Sequence, residues 1–357
     1  MGEIRPARTY GIATANRAPR VTIAIVAVIL LALVLLPVIA SRGLIQDLIF
    51  LFYMLALAQC WNLLAGYAGL ISVGQQAFVG LGGYLLFAFT LIGGINPLLA
   101  IPLAGAASAL FALPTALVVF RLRGAYFAIG TWVVAEVYRL VFAQVKPLGG
   151  GTGTSLTPSI TSTVPGIEWI KAVLDLRTPA ARDVISYWAA LALAAATLGF
   201  VYLVLRSRRG LALGAIRDNE AAAAGLGVDI YRIKLAVYVA TAAITGMIGA
   251  LIYLQKARIS PDAAFSVLDW TAYVIFITVI GGIGTIEGPV IGAIIFYLMQ
   301  RYLADFGASY LILLGTLGIL VILFAPAGLW GLLAGRMGWT LLSTRRRLVA
   351  DESHRQS

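Results

Sequence analysis

The chain is poor in histidine, cysteine and charge. Its 357 residues contain one histidine, His354, and one cysteine, Cys60. A histidine-ligated metal site or a Ser-His-Asp triad has no histidine to use outside the C-terminal tail. A single cysteine excludes an intrachain disulfide and any Cys-x-x-Cys redox motif. There is no G-x-x-x-x-G-K-[ST] segment. The nearest stretch, Gly149-Gly150-Gly151-Thr152-Gly153-Thr154-Ser155, lacks the lysine, so ATP binding through a P-loop is excluded. Charged residues make up 11% of the chain, against ~25% in a typical soluble domain.

Apolar residues fill the space instead. They are 61% of the sequence, and they come in runs too long for a globular core. A membrane-spanning helix needs ~20 mostly apolar residues. Ten stretches qualify, at about 21–40, 44–65, 71–94, 97–120, 125–143, 185–205, 235–255, 268–284, 287–304 and 309–333. The expected fold is an all-α polytopic membrane protein with about ten transmembrane helices. Residues 1–20 and 336–357 are expected as tails. They flank a transmembrane domain over 21–335, with an outer loop at 144–184 and an inner loop at 206–234.

Ten spans put both ends on one side. That side holds 17 of the 26 Lys and Arg residues, which makes it cytoplasmic. The net charge of +11 thus reads as membrane anchoring, with no nucleic-acid partner. The first span follows an arginine-rich lead, but its apolar core exceeds the ~7–15 residues of a signal peptide. It is expected to be an uncleaved anchor. Spans two to five start outside and spans seven to ten start inside, and each group contains a glycine-rich break. This arrangement suggests an inverted-topology repeat.

Several segments could carry function. In the inner loop, Leu213 to Ala224 is rich in helix formers, and Gly225 is a plausible C-cap. Arg217 and Glu220 are spaced to pair on one helical face. Ala221 and Ala222 keep that helix slim enough to enter a groove, although an amphipathic connector at the lipid surface has the same composition. Gly66 to Gly83 holds six glycines, among them Gly66, Gly69 and Gly74, interleaved with Ser72, Gln75 and Gln76. Glycine here either breaks a helix beside a cavity or permits close helix packing. Glu136 and Arg139 form an i, i+3 pair inside the fifth span, where charges are costly and normally paired. The segment Gly281-Gly282-Ile283-Gly284-Thr285-Ile286-Glu287-Gly288-Pro289 reads as a tight turn before a helix, with Glu287 either capping it or meeting a partner. Ile259-Ser260-Pro261-Asp262 reads as an outer turn.

Taken in order, these stretches resemble a known family. Trp61-Asn62-Leu63-Leu64-Ala65-Gly66-Tyr67-Ala68-Gly69 with Ser72-Val73-Gly74-Gln75 is similar to the glycine-rich segment of LivM-type branched-chain amino acid ABC transporter permeases. Leu122 to Ile129 with Ala135-Glu136, Ala215 to Val228, Ile259 to Asp262 and Gly281 to Pro289 match as well. Gln76 departs from the small residue usual there. The resemblance implies a permease subunit with the ABC importer permease fold in a bacterial inner membrane. It works with a sister permease, two ATP-binding subunits and a periplasmic substrate-binding protein. It implies no cofactor on this chain, ATP and Mg being bound by the partners. It also implies that Arg217, Glu220, Ala221, Ala222 and Gly225 dock into an ATPase subunit. Independently of the resemblance, the clustered glycines with buried amides mark Gly66, Gly69, Ser72, Gly74, Gln75 and Gln76 as lining the translocation pathway. Two rival readings stay open: a urea or short-amide permease of the same architecture, and a stand-alone secondary carrier or channel.

Overall fold

The computed structural model describes residues 10–13, 18–157, 159–160, 164–303, 306–337 and 347–350. Most of the two expected tails, together with Pro158 and His354, lies outside the described residues. The described chain is almost entirely helical. In order, the helices are α1 (Ala18–Leu35), α2 (Arg42–Asn62), α3 (Gln75–Phe87), α4 (Pro97–Val119), α5 (Ala125–Ala143), α6 (Ile167–Leu174), α7 (Thr178–Arg206), α8 (Arg208–Asp218), α9 (Glu220–Gly225), α10 (Ile230–Lys256), α11 (Pro261–Ala264), α12 (Tyr273–Gly281), α13 (Gly288–Leu303), α14 (Ala308–Phe324) and α15 (Gly328–Met337). Two short antiparallel ribbons complete the inventory. Tyr10–Ala13 pairs with Arg347–Ala350 and brings the two ends together, while Thr154–Ser155 pairs with Arg258–Ile259.

Among the described residues, seven helical stretches are long and apolar enough to cross a membrane. They become eight if α14 and α15, bent by 43°, count as one span. The apolar stretch Ala24–Val38, which runs from α1 into the turn after it, and the 16-residue α13 occupy the places of the first and ninth expected spans but are shorter than the seven. Several expected boundaries move; the seventh span, for example, begins at Ile230 rather than 235. The third span begins at Gln75, not 71, because the chain first crosses over without helix. The sixth begins at Thr178, with Pro179 in its first turn, so the outer loop ends earlier. The tenth breaks where Pro326 cannot continue the helix and Gly328 takes φ +72°. Within the 144–184 loop, α6 is amphipathic, burying Ile167 and Ile170 and exposing Trp169.

Burial separates the inner helices from the lipid-facing ones. In the stretch Arg42–Tyr67, 78% of the most apolar window is buried, but in α5 only 17% is. The large side chains of α4, α5 and α14 that point outward are mostly leucine, isoleucine, valine and phenylalanine, such as Leu110, Val133, Ile312 and Phe324. An outward apolar surface is stable only against lipid. Helices in lipid gain little from hydrophobicity against each other, so close contact through small residues must hold them. The α3–α4–α10 seam is built in this way. A Cβ on Gly82 would strike the Gly246 carbonyl, one on Gly249 the Val79 carbonyl, and one on Gly246 the Ser108 side chain. At its Arg42 end, α2 is tied by charge. Arg42 Nε donates to the buried Asp183 at 2.6 Å and Gln46 Nε2 donates to it at 3.0 Å, while Asp47 accepts from Arg301 and from Tyr297.

Candidate functional site

The site grows from the C-terminal end of α2. There the helix widens into a single π-turn, Leu63–Tyr67, before leaving helical geometry altogether. Such turns concentrate where a regular helix would mis-aim its residues. The crossover 68–74 then turns at Gly69, with φ +68°, and runs back to start α3. Its backbone has no ladder of its own, so side chains from neighbouring helices satisfy it. Trp61 Nε1 donates to the Ser72 carbonyl at 2.8 Å, Val73 N donates to Thr131 Oγ1 at 3.1 Å, and Gly74 N donates to Ser72 Oγ at 3.1 Å.

The two glutamines that open α3 are both buried. Gln75 Nε2 donates to Thr245 Oγ1 on α10 at 3.0 Å. Gln76 N donates to Thr271 Oγ1 at 3.2 Å, and the Thr271 hydroxyl donates in turn to Gln76 Oε1. Gln76 Nε2 is buried without a hydrogen-bond partner. The six glycines divide into three uses. Gly69 supplies the turn. Gly66 and Gly74 permit backbone contact, since a Cβ on Gly66 would lie 2.7 Å from Gly284 N and one on Gly74 would strike the Thr131 carbonyl. Gly80, Gly82 and Gly83 let α3 pack closely; a Cβ on Gly80 would lie 2.5 Å from the Phe265 ring. The helix break and the close packing thus fall to different glycines.

The second glycine break meets the first. Asn62 Nδ2 donates to the Thr285 carbonyl at 2.7 Å, and Gly284 N donates to Asn62 Oδ1 at 2.8 Å. One turn earlier, Gln59 Nε2 donates to the Ile286 carbonyl at 2.6 Å. The turn is shaped by Gly282 and Gly284, both at positive φ. Capping of α13 falls to Thr285, whose hydroxyl accepts from Gly288 N at 3.1 Å. Gln59 and Asn62 were not among the expected site residues. Their signal in the sequence is an amide side chain one turn apart in an apolar run, where each must find a partner.

The inner loop departs from the expectation in three ways. Leu213 to Ala224 is not one helix. Asn219 is extended, at φ −162° and ψ 110°, and separates α8 from α9. Its side chain caps α9 by accepting from Ala222 N at 3.0 Å. Arg217 and Glu220 therefore do not pair: Arg217 Nε lies 3.5 Å from Asp218, and Glu220 engages Lys234. Gly225 is the last residue of α9 rather than its left-handed cap; Gly227, at φ +82°, makes the reversal. α8 buries Leu213 and Ile216 and packs against the Leu63–Tyr67 turn. The Arg217 guanidinium lies beside the two breaks, where a Cβ on Gly284 would be 3.4 Å from its Nη1 and 3.4 Å from the Gly66 carbonyl. In α9, by contrast, Ala221, Ala222, Ala224 and Gly225 are exposed, and the adjoining Leu226 is 81% exposed.

Glu136 and Arg139 do meet, at 2.5 Å. Arg139 also donates to Asp262 at 2.7 Å, linking α5 to α11. Asp262 comes from the Ile259–Asp262 stretch, so two separate sequence features join in one charge cluster.

Comparison with known proteins gives a consistent result. The family described as branched-chain amino acid transport system / permease component matches residues 43–326. The LivM high-affinity branched-chain amino acid transport system permease protein of Escherichia coli (strain K12) is 29% identical over 318 residues, covering 85% of this chain and 74% of the relative. Its Salmonella typhimurium counterpart is 28% identical over 306 residues, covering 82% and 71%. A probable LivM permease of Methanocaldococcus jannaschii is 26% identical over 237 residues, covering 62% and 63%. No solved structure gives a significant match. The match takes in both glycine breaks, the inner loop and the Arg139 cluster, and the chain belongs to the branched-chain amino acid transport system permease component family.

Proposed function

We propose that this chain is the transmembrane permease subunit of an ATP-driven ABC importer for branched-chain amino acids. A periplasmic binding protein delivers the substrate, this chain and a sister permease form the route, and two partner subunits bind ATP and Mg and hydrolyse the nucleotide. The chain sits in a bacterial inner membrane with both termini and the 206–234 loop in the cytoplasm. It crosses ten times, α1 and α13 being the two short spans. An inverted repeat would relate α2–α5 to α10–α14. The 68–74 crossover then corresponds to the 257–267 segment, each following the first long helix of its group.

The observation that carries this reading is the inner loop. It ends in a slim, exposed α9 and is anchored at α8 on the helix turn that leads into the glycine-rich segment. We assign docking on the ATPase subunit to Ala221, Ala222, Gly225 and the Glu220 edge, with Arg217 facing the membrane domain. Gly66, Gly69, Ser72, Gly74, Gln75 and Gln76 border the route. Similarity to permeases named for branched-chain amino acids favours that cargo over urea or short amides. A secondary carrier driven by protons would need a free carboxylate relay, and the Glu136 and Asp262 carboxylates are both engaged by Arg139.

The test is reconstitution of the chain with its neighbouring subunits in proteoliposomes. ATP hydrolysis should rise when binding protein loaded with leucine is added, and labelled leucine should accumulate only with ATP. Uptake by this chain alone, without ATPase subunits, would establish a stand-alone carrier instead.

A further inference from the structure

We propose that Gln59 and Asn62 form an amide latch that closes the inner end of the route, and that Arg217 is the handle by which the coupling loop opens it. The proposal rests on the importer reading above and assigns to that machinery three residues with a defined division of labour.

The latch consists of three hydrogen bonds to consecutive residues. Gln59 holds the Ile286 carbonyl, and Asn62 holds both the Thr285 carbonyl and the Gly284 amide. Both side chains are 0% exposed. They join α2 to the turn between α12 and α13, segments more than 220 residues apart in sequence. Gly66 and Gly284 meet without side chains between them, so the two breaks close as backbone against backbone.

All the latch bonds are neutral. Buried ion pairs are costly to separate, whereas neutral amide bonds have a modest net value, because water replaces them once it can enter. Gln59 Oε1 is buried without a hydrogen-bond partner. An amide oxygen buried without a partner costs free energy in the closed seam. In an opened, wetted state that oxygen gains the partner it lacks here, which lowers the cost of opening.

Arg217 is placed to act on this seam. Its guanidinium lies against the position a Gly284 Cβ would take. Arg217 and Glu287 both lie within Coulombic reach of Tyr67, the last residue of the π-turn. α8 packs on that turn through a face that includes the buried Leu213 and Ile216. A pull on α9 by an ATPase subunit moves α8 and, through Arg217, the Gly284 side of the latch relative to the Asn62 side.

The experiment uses the assembled transporter in proteoliposomes and reads three quantities: ATPase subunits co-purified, ATP hydrolysis without binding protein, and leucine taken up per ATP. Asn62→Ala removes two latch bonds. It should raise hydrolysis without binding protein roughly tenfold and lower uptake per ATP by a similar factor, as expected for losing two hydrogen bonds from the closed state, while subunits co-purify normally. Arg217→Gln, outside the spans and half-exposed, keeps the test valid should Asn62→Ala not assemble. It should retain the subunits and hydrolysis but lose most uptake. In a Cys60→Ala background, joining Asn62→Cys to Thr285→Cys with a short bifunctional thiol reagent should stop uptake in the assembled complex. Wild-type uptake per ATP in the assembled Asn62 or Arg217 variant, or full transport by the joined pair, would show a static seam and overturn the latch. Loss of the ATPase subunits from Arg217→Gln would also overturn it, since Arg217 would then be a docking residue. Failure of the importer reading has a different signature: subunits that do not associate with the unaltered chain at all.

Discussion

Two stretches of this molecule, 66–83 and 210–227, are both rich in glycine and alanine, and the structure uses them in opposite ways. In the first, most glycines touch backbone or an aromatic ring: Gly74 meets Thr131, Gly82 meets Gly246, Gly83 meets Tyr253. In the second, Gly214 and Gly225 have open space around them, and three of the four alanines of α9 are exposed. Small residues inside the bundle remove distance between helices. Small residues on the loop keep a surface narrow. Small residues abound in both stretches, and their neighbours decide how they are used.

The largest expected effect comes from breaking the inner member of this pair. Gly74→Leu places side-chain atoms onto the Thr131 carbonyl. Overpacking of this kind costs ~1–3 kcal/mol where neighbours can yield, and a backbone carbonyl yields little. Uptake should disappear while the chain still inserts, as measured by transport and by membrane-fraction yield. Normal transport would mean that the segment is not at a constriction.

Next is the outer member. Ala222→Trp adds bulk to an exposed site, so the chain should fold normally. In the assembled importer the same bulk overfills a groove. A cost of ~1–3 kcal/mol corresponds to roughly ten- to a hundredfold in subunit affinity at ~1.4 kcal/mol per decade, read by titrating ATPase subunits against the purified permease.

A smaller effect is expected of Glu220→Lys. It removes the partner of Lys234 and sets two cations side by side. Glu220 is half exposed, and pairs of that kind contribute ~0–1 kcal/mol. Assembly should weaken no more than about tenfold, and the loss should shrink as salt is raised. Glu220→Gln should be milder still. The smallest change is Gly214→Ala, in α8 with nothing near its Cβ position. Helix propensity predicts a gain of up to ~1 kcal/mol, visible as a slightly higher unfolding temperature with unchanged uptake. A loss would mean that the loop is packed against something in the assembled complex.

Much of this architecture was legible in the sequence, because apolar length and glycine clusters are local signals. Among the described residues, seven helical stretches of spanning length, or eight with the bent pair, stand at expected places, and both breaks fall where the glycines cluster. The failures are instructive. Asn219 sits in a run of helix formers, so propensity argued for continuity. Its side chain could instead cap a new helix from within the run, and that local bond turned Arg217 and Glu220 away from each other. The π-turn at Leu63–Tyr67 leaves no composition signature. Least legible was the pairing of Asn62 with Gly284, 222 residues away. The sequence marks Asn62 only as a polar residue needing a partner, and the choice of partner belongs to the fold.

The account rests on α9 being a docking surface rather than a passive connector. The most direct measurement is co-purification of the ATPase subunits with Ala222→Trp, with labelled leucine uptake measured in the same preparation. The variant is expected to reach the membrane at normal levels, lose the subunits and lose uptake together. Full retention of both would contradict the account and leave the loop a connector.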